Sequence, residues 1–313
     1  MRAVVIADGT ITVAERPDPA PRDSELLVQV RAAGLNGADV LQRRGQYPPP
    51  AGTPADMPGL EFAGEVVATG SWAGRFAVGD RVMGLLPGAG QAELVVVHER
   101  VAMPVPAGVA WPAAGGFSEA FVTAHDALFV QGQLRPGEHL LVHGAAGGVG
   151  TAAIQLGRLA GARVTASVRS APARDVVAAL GATVVDPATF AAGGPYDVIL
   201  ELVGAPNLAD DLRTLAPAGR IVVIGIGAGA SATVDLRMLM ARRGTVRGST
   251  MRTRSLEEKA AAARQVEREV LPAFGAGRVQ VPVAATFPLA DAAAAYQHFE
   301  AGGKVGKILL LLP

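Results

Sequence analysis

The stretch Leu140-Leu-Val-His-Gly-Ala-Ala-Gly-Gly-Val-Gly150, continued by Thr151-Ala-Ala-Ile-Gln-Leu-Gly-Arg-Leu-Ala160, decides the fold. Its apolar start reads as a buried strand and the glycine run as a tight turn. The sequel carries apolar residues at helical spacing. A strand that turns through glycines into a helix aims free backbone N–H groups at one point, and that point suits a pyrophosphate. Gly147 lets the backbone approach the phosphates, and Gly150 lets the helix pack closely on the sheet. Ala145, Ala146, Gly148 and Val149 complete the loop. Ala145 takes the first position of the G-x-G-x-x-G pattern, so the match is imperfect, and a plain strand-to-helix turn is the competing reading.

Composition narrows the classes. The chain has 313 residues, half of them hydrophobic and 18% charged, which is enough to bury two cores of ordinary size. Its 28 basic and 28 acidic residues cancel, so it lacks the electrostatic footprint of a nucleic-acid or anionic-membrane binder. It contains no cysteine, which excludes disulfides, thiolate nucleophiles and thiolate-bound zinc. The five histidines (98, 125, 139, 143 and 298) show no ligand-like spacing in sequence, and no metal is expected. The start, Met1 to Gly9, reads as a strand and turn rather than a signal peptide. No apolar run approaches the ~20 residues that span a bilayer. A cytoplasmic location without membrane or nucleic-acid partners is the expectation.

Outward from the glycine loop, the rhythm differs on the two sides. Up to about residue 115, short strands (Leu26–Ala32, Gly64–Gly70, Asp80–Gly84, Ala92–His98) alternate with Pro- and Gly-rich turns. This pattern predicts a mainly β, barrel-like domain. From about 116 to 250, strands at 138–143, 162–168, 183–185, 196–201, 219–226 and 244–248 alternate with helices at 148–160, 171–180, 207–215 and 235–242. That alternation is the signature of an α/β, doubly wound parallel sheet with helices on both faces. Phe117 to Gln131 reads as a helix. Ser255 stands three residues before Glu258, a capping box that opens a helix to Val270. Val279–Val283 and Lys307–Leu312 read as strands returning to the first domain, with a helix over Asp291–Ala301 between them. The expected division is 1–116 with 277–313 for the barrel-like domain and 117–276 for the dinucleotide-binding domain.

Several ordered motifs then carry a resemblance. Gly34-Leu-Asn-Gly-Ala-Asp39 with Arg44-Gly-Gln-Tyr47-Pro, Pro58-Gly-Leu-Glu61-Phe-Ala-Gly, Phe117-Ser-Glu-Ala-Phe-Val-Thr123 and Gly306-Lys-Ile-Leu-Leu310 all fall at matching separations. Together with Gly248 to Ser255, they resemble the medium-chain dehydrogenase/reductase superfamily over nearly the whole chain. The likeness is to its zinc-free quinone oxidoreductase branch, and within it to the p53-inducible subgroup. Ser118 stands where that branch usually has proline. Zinc-bearing relatives place Cys at the position of Asn36 and His at the position of Leu60, and both ligands are missing. The resemblance implies a Rossmann domain with a GroES-like substrate domain, a nicotinamide in the cleft between them, and a homodimer.

The second strand's end, Val164 to Ser170, contains no acid to hold a ribose 2′-hydroxyl. Arg169 and Ser167, with Arg174, instead suit a 2′-phosphate, which points to NADPH; a solvated arginine at a strand end is the alternative. The chemistry that the resemblance implies is hydride transfer from NADPH to a quinone or a related enone. Tyr47 is the candidate to polarise the acceptor oxygen, or else it walls the cleft beside Pro48-Pro49. Asn36 either orients substrate or cofactor, or bonds local backbone. Thr123 resembles a threonine that lies by the nicotinamide carboxamide, or else it is an ordinary helix threonine. Val203-Gly204 and Ile224-Gly225 end parallel strands, where ligands sit. Lys307 reaches the cofactor or caps a strand. Asp39 and Glu61 read as braces, and Glu201 has no assigned role. An enoyl-thioester or alkenal reductase, and a nucleotide-binding structural or regulatory protein with little turnover, are the rivals.

Overall fold

The computed structural model describes all 313 residues. Contacts divide them into two compact units: Met1–Val122 with Met251–Gly302 and Gly306–Pro313, and Thr123–Thr250 with Gly303–Val305.

The first unit opens with β1 (Arg2–Ala7) and β2 (Thr10–Glu15), joined by Asp8-Gly9. Both turn residues have positive φ (48° and 74°), as a two-residue hairpin requires. Then come β3 (Glu25–Gly34), α1 (Gly37–Arg43), β4 (Glu61–Thr69), β5 (Arg81–Leu85), β6 (Leu94–His98), β7 (Met103–Pro104), α2 (Trp111–Gly115) and α3 (Ser118–His125). Alternate residues Leu26, Val28, Val30 and Ala32 of β3 are fully buried, the period-two pattern of a strand with one face on a core.

The second unit contains β8 (His139–Val142), α4 (Gly148–Leu159), β9 (Arg163–Ser167), α5 (Ala171–Ala179), β10 (Thr183–Val185), β11 (Tyr196–Glu201), α6 (Leu208–Thr214), β12 (Leu215–Val223), α7 (Leu236–Arg242) and β13 (Thr245–Gly248). Its six strands are all parallel, in the order β10-β9-β8-β11-β12-β13. The winding reverses between β8 and β11, and the carboxyl ends of those two strands open the crevice where such sheets bind ligands. One face packs Leu141, Phe190, Tyr196, Ile199, Leu212, Leu215 and Ile221 together. The Tyr196 hydroxyl is satisfied within that core by donating to the Phe190 carbonyl at 2.6 Å.

The chain then returns to the first unit through α8 (Leu256–Glu269), α9 (Leu271–Gly275), β14 (Val283–Pro288), α10 (Ala292–Ala301) and β15 (Lys307–Leu311). The first unit's large sheet runs β14-β15-β3-β4-β5-β7, with β6 also on β3. β15 adds antiparallel to β3, and β14 joins β15 in parallel. The first unit is a GroES-like domain and the second a Rossmann domain, as the motifs implied.

Three local differences from expectation have physical causes. Residues 251–276 group with the first unit, whereas 117–276 was expected to form one domain. Side chains tie α8 there: Arg75 pairs with Glu267, Arg100 with Glu257, and Arg264 donates to the Ala102 carbonyl. Of the strand expected over Val279–Val283, only Val283 is in one, as the first residue of β14. Val279 and Val281 are buried, but the ladder begins only where the Pro282 carbonyl accepts from Lys307 N at 2.8 Å, because proline has no N–H to offer. The helix expected over Phe117–Gln131 changes pitch after His125 and finishes as a wider, π-type turn over Asp126–Gln131. No helix is long and apolar enough to cross a membrane.

Candidate functional site

In the second unit the glycine loop lies at the end of β8. Gly144 has φ 62°, and Gly147 is the N-cap of α4 with extended dihedrals. No side chain caps this helix, and its first turn contains no acid. The leading N–H groups are thus left for an outside acceptor. A Cβ at Gly150 would sit 2.6 Å from both Ala145 Cα and Gly144 O, so Gly150 serves close packing. A Cβ at Gly147 would meet only Gly144 O at 3.4 Å. The side facing outward is open, with Ala146, Gly147, Gly148 and Val149 all partly accessible and Ala145 buried. This donor set fits a pyrophosphate.

Across the winding reversal, Glu201 shapes the end of β11. One carboxylate oxygen accepts from the N–H groups of Val203 and of Gly204, the latter at 2.8 Å. The other accepts from Asn207 Nδ2 at 2.9 Å. Gly204 has φ 118°, and a Cβ at Gly225 would lie 2.2 Å from the Leu202 carbonyl oxygen. Both positions therefore require glycine. Val203 and Ile224 stay partly accessible beside them.

Beneath the loop, His143 Nε2 and Asp211 Oδ1 are 2.9 Å apart, both fully buried, and Phe190 meets the imidazole edge-on. Burial raises the Asp211 carboxyl to about 6, against the opposing pull of His143. His143, Glu201 and Asp211 bring ligand-type atoms within 4.8 Å of one another, a cluster that sequence spacing did not reveal. Glu201 already accepts from three N–H donors, so we read the cluster as a brace under both turns.

At the end of β9, Ser167 is buried, whereas Arg169 is exposed and has no ion-pair partner. Arg174 is placed differently from Arg169. It pairs with Asp186 and donates to the Val168 carbonyl, so its charge is already committed within the fold.

In the first unit a buried polar cluster joins α1, β4 and β15. Lys307 Nζ donates to Asn36 Oδ1 (2.5 Å) and to the Leu35 carbonyl (3.0 Å), and pairs with Glu61 Oε1 (2.5 Å). These three partners use its three protons, which favours the capping role of Lys307 over the cofactor contact. Asn36 Nδ2 also donates to Glu61 at 3.0 Å. Its amide is thus engaged at both ends within the fold. Asp39 accepts from the N–H groups of Asn36 and Gly59. Burial pushes its carboxyl up to about 6 despite those bonds.

Tyr47, partly accessible, is held by a residue the sequence reading did not single out. Arg252 is buried and stacks over the Tyr47 ring with its guanidinium carbon 4.9 Å from the centroid. It also donates to the carbonyls of Tyr47 (2.8 Å) and Pro87 (2.7 Å) and to Gln42 Oε1 (2.5 Å). The loop carrying Tyr47 is thereby tied to the segment before α8. On α3, the Thr123 hydroxyl is buried with no hydrogen-bond partner. An orphaned hydroxyl fits a carboxamide, since buried polar groups are otherwise satisfied.

Residues 22–133 match the alcohol dehydrogenase GroES-like domain, and residues 175–310 match a family described as zinc-binding dehydrogenase. A quinone oxidoreductase of Rattus norvegicus is 30% identical over 306 residues, covering 94% of this chain and 91% of that protein. Erythronolide synthase EryA2 of Saccharopolyspora erythraea is 37% identical over 332 residues, covering 99% of this chain but only 9% of that synthase. The solved structure of mycobacterial Rv1454c complexed with NADPH superposes with a TM-score of 0.89 at 27% identity, covering 99% of this chain and 100% of that one. The absence of cysteine is in keeping with a branch that does without thiolate-bound zinc. With the fold, the phosphate loop and a full-length relative in agreement, the chain belongs to the medium-chain dehydrogenase/reductase superfamily, and it is an oxidoreductase that uses a nicotinamide cofactor.

Proposed function

We propose that the chain is an NADPH-dependent, zinc-free reductase that delivers hydride to quinones and related electron-poor acceptors. The observation that carries the cofactor choice is Arg169, an exposed and unpaired guanidinium at the end of β9 with no acid on that segment. A 2′-phosphate suits it, and nothing there would favour a bare 2′-hydroxyl. The uncapped start of α4 would hold the pyrophosphate, with Ser167 beside Arg169. Val203, Gly204, Ile224 and Gly225 would line the nicotinamide with backbone, and Thr123 would meet its carboxamide. Bound there in reduced form, the cofactor supplies the hydride. Tyr47, fixed by Arg252, is the group we assign to the acceptor oxygen.

The acceptor class rests on the full-length likeness to quinone oxidoreductase. A second reading, reduction of enoyl thioesters, is supported by the 37% identity to a segment of a polyketide synthase. A purified-protein screen separates them: 1,2-naphthoquinone, trans-2-hexenal and crotonyl-CoA, each with NADPH and with NADH. Turnover mainly of the quinone supports our reading, and turnover mainly of the thioester supports the second. Tight NADPH binding with no oxidation would point to a binding or regulatory role. We also propose a homodimer formed through β13, an edge strand of the second unit's sheet, and a cytoplasmic location.

A further inference from the structure

We propose that the carboxylic acid of Glu119 is the proton donor to the acceptor, a role that rests on the hydride-transfer reading above and completes it. Glu119 is the second residue of α3, and its backbone N–H donates to Glu61 Oε2 at 2.8 Å. The main chain is therefore pinned, while the side chain is half-buried and accepts no hydrogen bond. The neighbouring acids differ from it. Glu61 is occupied by Asn36 and Lys307, and Asp39 by two backbone N–H groups. One helical turn on stands Thr123, whose buried hydroxyl is also without a partner. Residues four apart share a helix face. A carboxyl that accepts no hydrogen bond within the chain thus shares a helix face with a buried, partnerless hydroxyl, and the hydroxyl points to a partner from outside the chain.

The charges around Glu119 favour its neutral form. Glu61 on β4 and Asp39 on α1 repel its negative charge, while Lys307 on β15 and Arg252 before α8 attract it; Lys259 on α8 also feels it. Burial first, then Glu61, raises the carboxyl to about 8. At neutral pH it holds a proton, and its partial exposure lets solvent replace that proton after each turnover.

A reduced nicotinamide, when bound, would supply hydride, two electrons with one hydrogen, to an electron-poor carbon of the acceptor. The π pair of the attacked C=C bond then shifts through the conjugated system to leave an enolate, which for a quinone becomes the hydroquinone anion when a proton of the attacked carbon moves to oxygen. The O–H bond of Glu119 breaks, and its proton bonds to that anion. The carboxylate left behind takes a proton from water. The acceptor gains one hydride and one proton, and the nicotinamide is oxidised by two electrons. A hydroquinone anion can also be protonated by water, whereas an alkenal-derived enolate depends more on a placed acid, so the two acceptors should differ in their need for Glu119.

The test compares the full-length wild type with E119Q and E119D, using NADPH with trans-2-hexenal and with 1,2-naphthoquinone. Infrared spectroscopy of the wild type without cofactor reads the protonated carboxyl directly. We expect a carboxyl band that is absent in E119Q and titrates away near pH 8. Hexenal reduction should fall about 100-fold in E119Q, the loss typical of a missing general acid, and E119D should restore part of it. Quinone reduction should fall only a few-fold, and NADPH binding by fluorescence should stay within about two-fold. In the wild type, hexenal reduction should decline above pH 8, and E119Q should lack that limb. An ionised Glu119 at pH 7, or an E119Q hexenal rate within about three-fold of wild type with the limb retained, overturns the proposal. If E119Q proves misfolded by circular dichroism, the wild-type band and the E119D rates decide. A wild type that reduces neither acceptor removes the hydride-transfer reading itself, whereas a fully active E119Q removes only the role of Glu119.

Discussion

The Lys307 ammonium lies 2.5 Å from the Glu61 carboxylate, with both side chains essentially sealed from solvent. One charge comes from β15, near the end of the chain, and the other from β4. Removing one member leaves the other buried and unpaired, which costs about 3–5 kcal/mol. Lys307→Met should therefore lower the urea-unfolding free energy by that order, and Lys307→Met with Glu61→Gln should recover part of it. A loss below about 1 kcal/mol for the single variant would mean that the pair is not the brace described.

The two loop glycines should separate stability from cofactor binding. A methyl at Gly150 meets backbone at 2.6 Å, so Gly150→Ala forces α4 away from the loop, with a cost of about 1–3 kcal/mol. A methyl at Gly147 meets nothing closer than 3.4 Å. Gly147→Ala should keep the melting temperature near wild type while raising the NADPH Kd. Equal melting temperatures for the two variants would contradict the packing role of Gly150.

Arg169→Ala should cost NADPH about 1.5–3 kcal/mol, the worth of a hydrogen bond to a charged group, or roughly 10- to 150-fold in Kd. NADH, which has no 2′-phosphate, should bind the variant as it binds the wild type. Fluorescence titration with both cofactors reads this directly. Parallel losses for the two would remove the 2′-phosphate contact from the account.

Tyr47→Phe retains the ring that stacks with Arg252 and removes only the hydroxyl. If that hydroxyl donates to the acceptor oxygen, kcat should fall about 100-fold or more at unchanged stability, as when one oxyanion donor is deleted. An unchanged kcat would reduce Tyr47 to a wall.

Local signals were legible in the sequence. The glycine loop, the parallel β/α alternation and the Ser255–Glu258 capping box each occupy a few consecutive residues, and each appears where the spacing put it. The long-range polar contacts were not. His143 meets Asp211 across 68 positions, and Arg252 meets the Tyr47 loop across 205. No periodicity encodes such pairs, because they exist only once two distant segments are packed. Lys307 is the instructive middle case. A lone lysine in Gly-Lys-Ile-Leu offered a cofactor contact or a strand cap, and only the fold shows that its three protons are already used.

Initial rates of 1,2-naphthoquinone reduction by the purified protein, with NADPH and NADH in parallel, test the central claim most directly. We predict NADPH oxidation with a kcat/KM at least about ten-fold above that for NADH, a preference of about 1.4 kcal/mol. NADPH that binds but is never oxidised, or a preference for NADH, would contradict it.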